Sequence, residues 1–152
     1  MNGISAVLLG LGLWLTPATG DGLVQIRSNA TVAATMARVG PALATRGLRL
    51  FATVDHAANA RAVNLDLRPS TVFIFGNPAV GTLVIQCAAT AAIDLPLKLL
   101  VWEEKDGSVW VGYNDPEWLA RRHEIGECGG VLTGMRRALA ELAGEVAGKP
   151  AG

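Results

Sequence analysis

The sequence predicts a single compact domain that mixes sheet and helix, and three stretches carry that expectation. The uncharged, strand-like run TVFIF (residues 71–75) halts at Gly76-Asn77-Pro78. Two alternating runs, Leu97 to Glu103 and Val109 to Tyr113, meet around Asp106-Gly107 as a hairpin does. Leu132, Met135, Leu139, Leu142 and Val146 step by three, four, three and four, with Arg136, Arg137 and Glu141 on the opposite face, so the last element is an amphipathic helix docked on a sheet. A chain of 152 residues with 51% hydrophobic content is long enough to bury one real core. Thirteen basic and thirteen acidic residues leave no excess of positive charge to hold phosphates, which argues against a nucleic-acid partner.

The first twenty residues differ from the rest. ISAVLLGLGLWL (residues 4–15) is apolar and uncharged, and the first ionisable side chain is Asp21. Twelve residues fall short of a bilayer core but match the apolar region of a signal peptide. Ala18-Thr19-Gly20 supplies small residues for cleavage after Gly20, although Met1-Asn2-Gly3 carries no Lys or Arg. The expectation is an exported protein, periplasmic or secreted, whose domain runs from residue 21 to 148; an uncleaved membrane anchor is the alternative.

Gly22 to Arg27 alternates as a half-buried strand. Asn29-Ala30-Thr31 supplies cap candidates for a helix whose apolar face is Val32, Met36, Val39 and Leu43. Gly40-Pro41 is expected to kink that helix without breaking it, and Gly47 to cap it. Leu48 to Val54 is the second strand, followed by Asp55-His56 and a short helix over Ala57 to Ala62. A polar connection, Asn64 to Ser70, leads into TVFIF, whose lack of charge on either face predicts a central strand covered on both sides. Asn77 caps a helix that starts at Pro78, and Asp115-Pro116 repeats the arrangement before Glu117 to His123. Trp102 and Trp110 fall in the hairpin strands and are expected on one sheet, and residues 149–152 should fray.

The stretches HAANARAVNLDLRPSTVFIFGNP and DLPLKLLVWEEKDGSVWVGYNDPEWLARRH closely resemble the bacterial and archaeal family called domain of unknown function 302. The likeness extends over about Gly22 to Gly144 and rests on Asp55-His56, Phe75-Gly76-Asn77-Pro78, Asp94-Leu95-Pro96-Leu97-Lys98 and Tyr113-Asn114-Asp115-Pro116. It implies an α+β fold, an antiparallel sheet with helices packed on one face, broadly like the TATA-box-binding-protein topology. No catalytic activity comes with the resemblance, and a likeness in fold to a DNA-binding protein says nothing of DNA binding.

Five polar residues stand at the ends of apolar elements, which is how small-molecule sites are built: His56, Asn77, Asp94, Lys98 and Tyr113. His56 ends a strand and suits a general base or a hydrogen-bonding turn residue. Asp94 lies between Ile93 and Leu95, and a buried carboxylate needs a partner, with Lys98 and His56 as candidates. His56 and His123 are the only histidines, and no ligand spacing points to a metal or cofactor. Cys87 and Cys128 are an even count in an exported chain, which favours a disulfide; two buried thiols are the alternative.

The leading expectation is a domain binding an unknown small molecule in a cleft between sheet and helices, lined by those five residues. The second is an enzyme with His56 and Asp94 as an acid–base pair, which requires them within hydrogen-bond reach. The third is an interaction module using a patch around Trp110 and Trp118, with a homodimer among the arrangements considered.

Overall fold

A computed structural model describes residues 21–126 and 128–149. The expected signal peptide and the chain's last three residues lie outside the described residues. Five strands form one antiparallel sheet: β1 (Leu23–Arg27), β2 (Arg49–Asp55), β3 (Ser70–Gly76), β4 (Leu97–Glu103) and β5 (Val109–Asn114), in the order β1-β5-β4-β3-β2. The helices are α1 (Val32–Ala37), α2 (Val39–Ala44), α3 (His56–Ala62), α4 (Pro78–Cys87), α5 (Pro116–Arg122) and α6 (Val131–Ala147), with a 3-10 turn at Ala89–Ile93. The class is α+β.

Alternation decides which face of the sheet carries the core. Phe75, Leu99, Val101, Val109, Val111 and Tyr113 are buried on one face, against Val39, Ala42 and Leu43 of α2 and Leu139, Leu142 and Val146 of α6. A smaller cluster of Val84, Ala91, Ile125, Cys128 and Met135 continues the core beneath α4. The intervening residues Val72, Ile74, Leu100, Trp102 and Trp110 belong to neither cluster and stay half-buried on the other face. TVFIF is therefore not covered alike on both sides. Its missing charges reflect an apolar outer face, on which Trp102 and Trp110 sit in register with ring centroids 6.4 Å apart.

The first helical segment breaks where a kink was expected. Pro41 has no N–H to donate and its ring crowds the carbonyl of Ala37, so the strain falls one turn upstream of the proline. α1 stops at Ala37, and Arg38 bonds Thr35 O at 3.2 Å before α2 begins. Four side-chain caps form as the residue types direct, the first being Thr31, whose hydroxyl accepts from Ala34 N at 3.2 Å. Asp55 accepts from Ala58 N at 2.8 Å, Asn77 from Ala79 N at 3.0 Å and Asp115 from Glu117 N at 3.0 Å. At the other end of the chain Gly148 closes α6 at φ 76°, the left-handed C-cap that glycine accepts without penalty.

Candidate functional site

At the end of the sheet where β3 finishes and β4 begins, α4 and α6 do not close on each other. A cavity of about 500 Å³ lies between them, over Phe75, Gly76 and Leu97. That volume falls within the usual range for small-molecule sites. α6 presents Val131, Gly134, Met135, Ala138, Leu139 and Leu142 to it, one stripe at helical spacing. α4 presents Pro78, Gly81 and Ile85, and the Leu95-Pro96 segment forms part of the floor.

Two features of the backbone make this space. Gly81 and Gly134 stand on the facing helices, and a Cβ built on either would meet nothing within 4 Å. Strand β2 changes register between Leu50 and Ala52, so Phe51 is the extra residue of a bulge. Bulges re-aim side chains, and Phe51 here reaches the mouth of the cleft while 41% exposed. The Arg49 guanidinium stands 5.1 Å from its ring centroid.

The lining contains no ionisable side chain. Of its polar groups, Asn77 Oδ1 caps α4, and the Thr82 hydroxyl donates to Pro78 O at 2.7 Å. Such a surface holds a ligand by excluding water from apolar area, at roughly 25 cal/mol per Å², and offers no proton donor or base.

Of the five residues singled out in the sequence, Asn77 lines this cleft. His56 is exposed at the start of α3, beside the register pair Asp55–Thr71. Asp94 precedes Leu97, which pairs with Phe75. The two register positions are about 13 Å apart along β3, four residues at roughly 3.3 Å, and each residue lies beyond its own end. His56 and Asp94 do not form an acid–base pair. Tyr113 is buried in the main core, where desolvation, and then the charge of Asp115, push its phenol above the ordinary value. The Lys98 ammonium donates to two backbone carbonyls, Asp94 O at 2.9 Å and Pro96 O at 3.0 Å, and not to the Asp94 carboxylate.

The partner of Asp94 is His123, whose Nε2 lies 2.5 Å from Oδ2 while the side chain is 5% exposed. Its Nδ1 lies 3.1 Å from the Thr90 hydroxyl, and Arg122 Nε reaches the same Asp94 oxygen at 3.4 Å while its guanidinium stacks on Trp118. With both ring nitrogens held, this cluster fastens the end of α5 to the 3-10 turn, next to the cleft floor. His123 was visible in the sequence as the second of two histidines, but a contact across 29 residues leaves no local pattern.

Cys87 and Cys128 form a disulfide with Cα atoms 6.1 Å apart. It ties the last residue of α4 to the segment before α6, at the Val131 end of the cleft. Trp110 and Trp118 do not share a patch. Trp110 pairs with Arg27 at one end of β1, whereas Trp118 packs against Gly22, just before the other end.

Three comparisons place this architecture among known proteins. The stretch of the chain from 24 to 142 matches the family described as domain of unknown function DUF302. Two similar curated proteins are named fluoride-specific ion channel FluC 1, from Brucella suis biovar 1 (strain 1330) and Brucella abortus biovar 1 (strain 9-941). Each is 44% identical over 106 residues, 70% of this chain. The chain spans 42% and 39% of their lengths. A crystal structure of an uncharacterised conserved DUF302 protein from Bacillus stearothermophilus superposes with a TM-score of 0.72 at 18% identity. The likeness covers 80% of this chain and 95% of that one, and it shows a shared fold. With the family's match spanning most of the domain, the chain belongs to the DUF302 family of domains of unknown function.

Proposed function

We propose that this domain binds an uncharged, largely apolar small molecule in the cleft between α4 and α6. The supporting observation is the open cavity of about 500 Å³ whose lining is apolar and free of ionisable side chains. An empty apolar space of that size forfeits packing on every wall, and filling it recovers contact and removes surface from water. Gly81 and Gly134 are each less favourable for their helices than alanine by about 1 kcal/mol, a cost consistent with space kept for an occupant. The reading is non-catalytic, because no ionisable side chain lines the cleft, and Asp94, His123 and Lys98 beside its floor are tied to one another or to backbone. Titration with an environment-sensitive naphthalene dye tests it: saturable, single-site binding that Gly81→Leu weakens supports the proposal. Absence of saturable binding by dye and alkyl ligands alike contradicts it.

A second reading is favoured by the 44% identity to part of two proteins named fluoride channels. In it the domain accompanies a membrane transport protein. None of the helices among the described residues is long and apolar enough to cross a membrane. Fluoride flux through a reconstituted channel of that family, unchanged by saturating domain, would dismiss this reading. Export directed by residues 1–20 is part of the first reading. Mass spectrometry of the protein from its native host tests it, with loss of mass up to about Gly20 expected and an intact Met1 contradicting it.

A further inference from the structure

From the loop between α3 and β3 we infer a lipid-binding surface: Val63, Leu65 and Leu67 enter the interfacial layer of a bilayer, with Arg61 and Arg68 at the headgroup phosphates. The site is separate from the α4–α6 cleft and rests on neither reading above. Every residue from 61 to 68 is exposed. Within five consecutive positions the loop shows Val63 at 64% exposure, Leu65 at 64% and Leu67 at 52%. Single apolar side chains on a surface need no explanation, whereas a cluster of them marks a place of interaction. The backbone holds this set outward. α3 ends on a left-handed residue, Asn64 at φ 58°, with Leu65 N bonded to Ala60 O at 2.9 Å and Asn64 N to Arg61 O at 3.1 Å. In this kind of helix end the residue after the left-handed one packs an apolar side chain back on the last turn. Here that turn offers the single methyl of Ala60, and Leu65 stays out in water.

Two features favour lipid over protein as the partner. The apolar set is wholly aliphatic, without the Trp and Tyr that dominate protein contacts, and an acyl layer asks only for apolar area. Arg61 and Arg68 bracket the set, and neither makes an ion pair or a side-chain hydrogen bond among the described residues. Both guanidinium groups are therefore open to phosphate oxygens. Their long stems let the charges stay at headgroup level while the aliphatic side chains go deeper. Asp66 is the only acid from 61 to 68, so two Arg less one Asp give the loop a net charge of +1, which matches a mildly anionic surface.

The test is co-sedimentation of the full chain with vesicles of phosphatidylcholine containing a quarter phosphatidylglycerol, and with vesicles of phosphatidylcholine alone. Every variant keeps residues 1–20, so whatever that apolar stretch contributes is common to all. The protein is expected to sediment with the mixed vesicles. Leu65→Ser and Leu67→Ser should each lower its partition about tenfold, the loss of one buried aliphatic side chain, with the melting temperature unchanged because both side chains are already exposed. Arg61→Gln with Arg68→Gln should weaken binding to the mixed vesicles severalfold and leave binding to phosphatidylcholine alone unchanged. Ile93→Ser is the control: at 74% Ile93 is more exposed than any of the three, but it stands on the 3-10 turn outside the loop, and partition should not change. An equal loss in Ile93→Ser and Leu65→Ser would mean that exposure anywhere suffices, and overturns the inference. Partition into neither vesicle, or partition indifferent to the loop substitutions, also overturns it. So does a lipid-free oligomer, measured by light scattering, that Leu65→Ser dissociates, because the loop would then be a protein contact.

Discussion

Replacing both bridge cysteines, Cys87→Ser with Cys128→Ser, should destabilise the domain by about 4 kcal/mol. The bridge spans 41 residues, and closing a loop of that size removes about 13 cal/mol/K from the unfolded chain on the chain-entropy relation. At room temperature this is close to 4 kcal/mol, a large share of the 5–15 kcal/mol that holds a typical domain folded. The folded state adds little to the sum. Cys87 is exposed, and a serine at 128 would have Leu83 O, 3.6 Å from the present sulfur, as an acceptor. Guanidinium unfolding of the two proteins provides the assay. The variant should show a lower midpoint and a steeper denaturant dependence, because an unbridged chain exposes more surface when unfolded. A loss below about 1 kcal/mol with unchanged slope would refute the reasoning, since the bridge would then not be restricting the unfolded chain.

Three further outcomes are expected. Asp94→Ala leaves the buried His123 Nε2 without its partner and should lower stability by about 1–3 kcal/mol in urea unfolding, whereas an unchanged midpoint would show that the cluster does not fasten α5. Tyr113 is the protein's single tyrosine, so near-ultraviolet absorbance reports its ionisation alone. Its folded value lies above the ordinary 10.0, so its contribution is intact below that pH and is lost as pH rises through the folded value; titration at or below the ordinary value would contradict this. Gly22→Ala should destabilise by at least about 2 kcal/mol, because Gly22 has φ 83° and a Cβ would lie 2.1 Å from Trp118 Cγ. Gly47→Ala shares the positive φ but has open space, and the difference between the two variants in thermal unfolding measures the clash; equal losses would mean that Trp118 simply moves aside.

The elements legible in the sequence are those whose signal is local. The α6 face, the β4–β5 hairpin and the caps at Asn77 and Asp115 depend on spacing and residue type within a few positions, and they stand where those patterns put them. Pro41 announced a disturbance, but whether a helix bends or breaks depends on what packs against it, and α2 turned to lay Val39, Ala42 and Leu43 on the sheet. The Asp94–His123 pair joins residues 29 apart, and the cleft depends on two glycines on facing helices plus a bulge in β2. Gly81 and Gly134 look like ordinary weak points in their own helices; only the packing of α4 beside α6 turns them into an opening. Polar residues at element ends read, in the sequence, as one shared site. Three of them instead serve their own termini: His56 begins α3, Asn77 caps α4 and Lys98 caps carbonyls of the 94–96 turn; Asp94 pairs with His123, and Tyr113 is buried in the core.

Amide chemical-shift mapping of the labelled domain, titrated with dodecyl maltoside below its micelle concentration, tests the central claim most directly. Binding in the cleft predicts saturable shifts at Gly76, Gly81, Gly134 and Leu139, on both helices and the floor together, with the Trp102–Trp110 face unmoved. Shifts confined to that outer face, or absent at the two glycines, would contradict it.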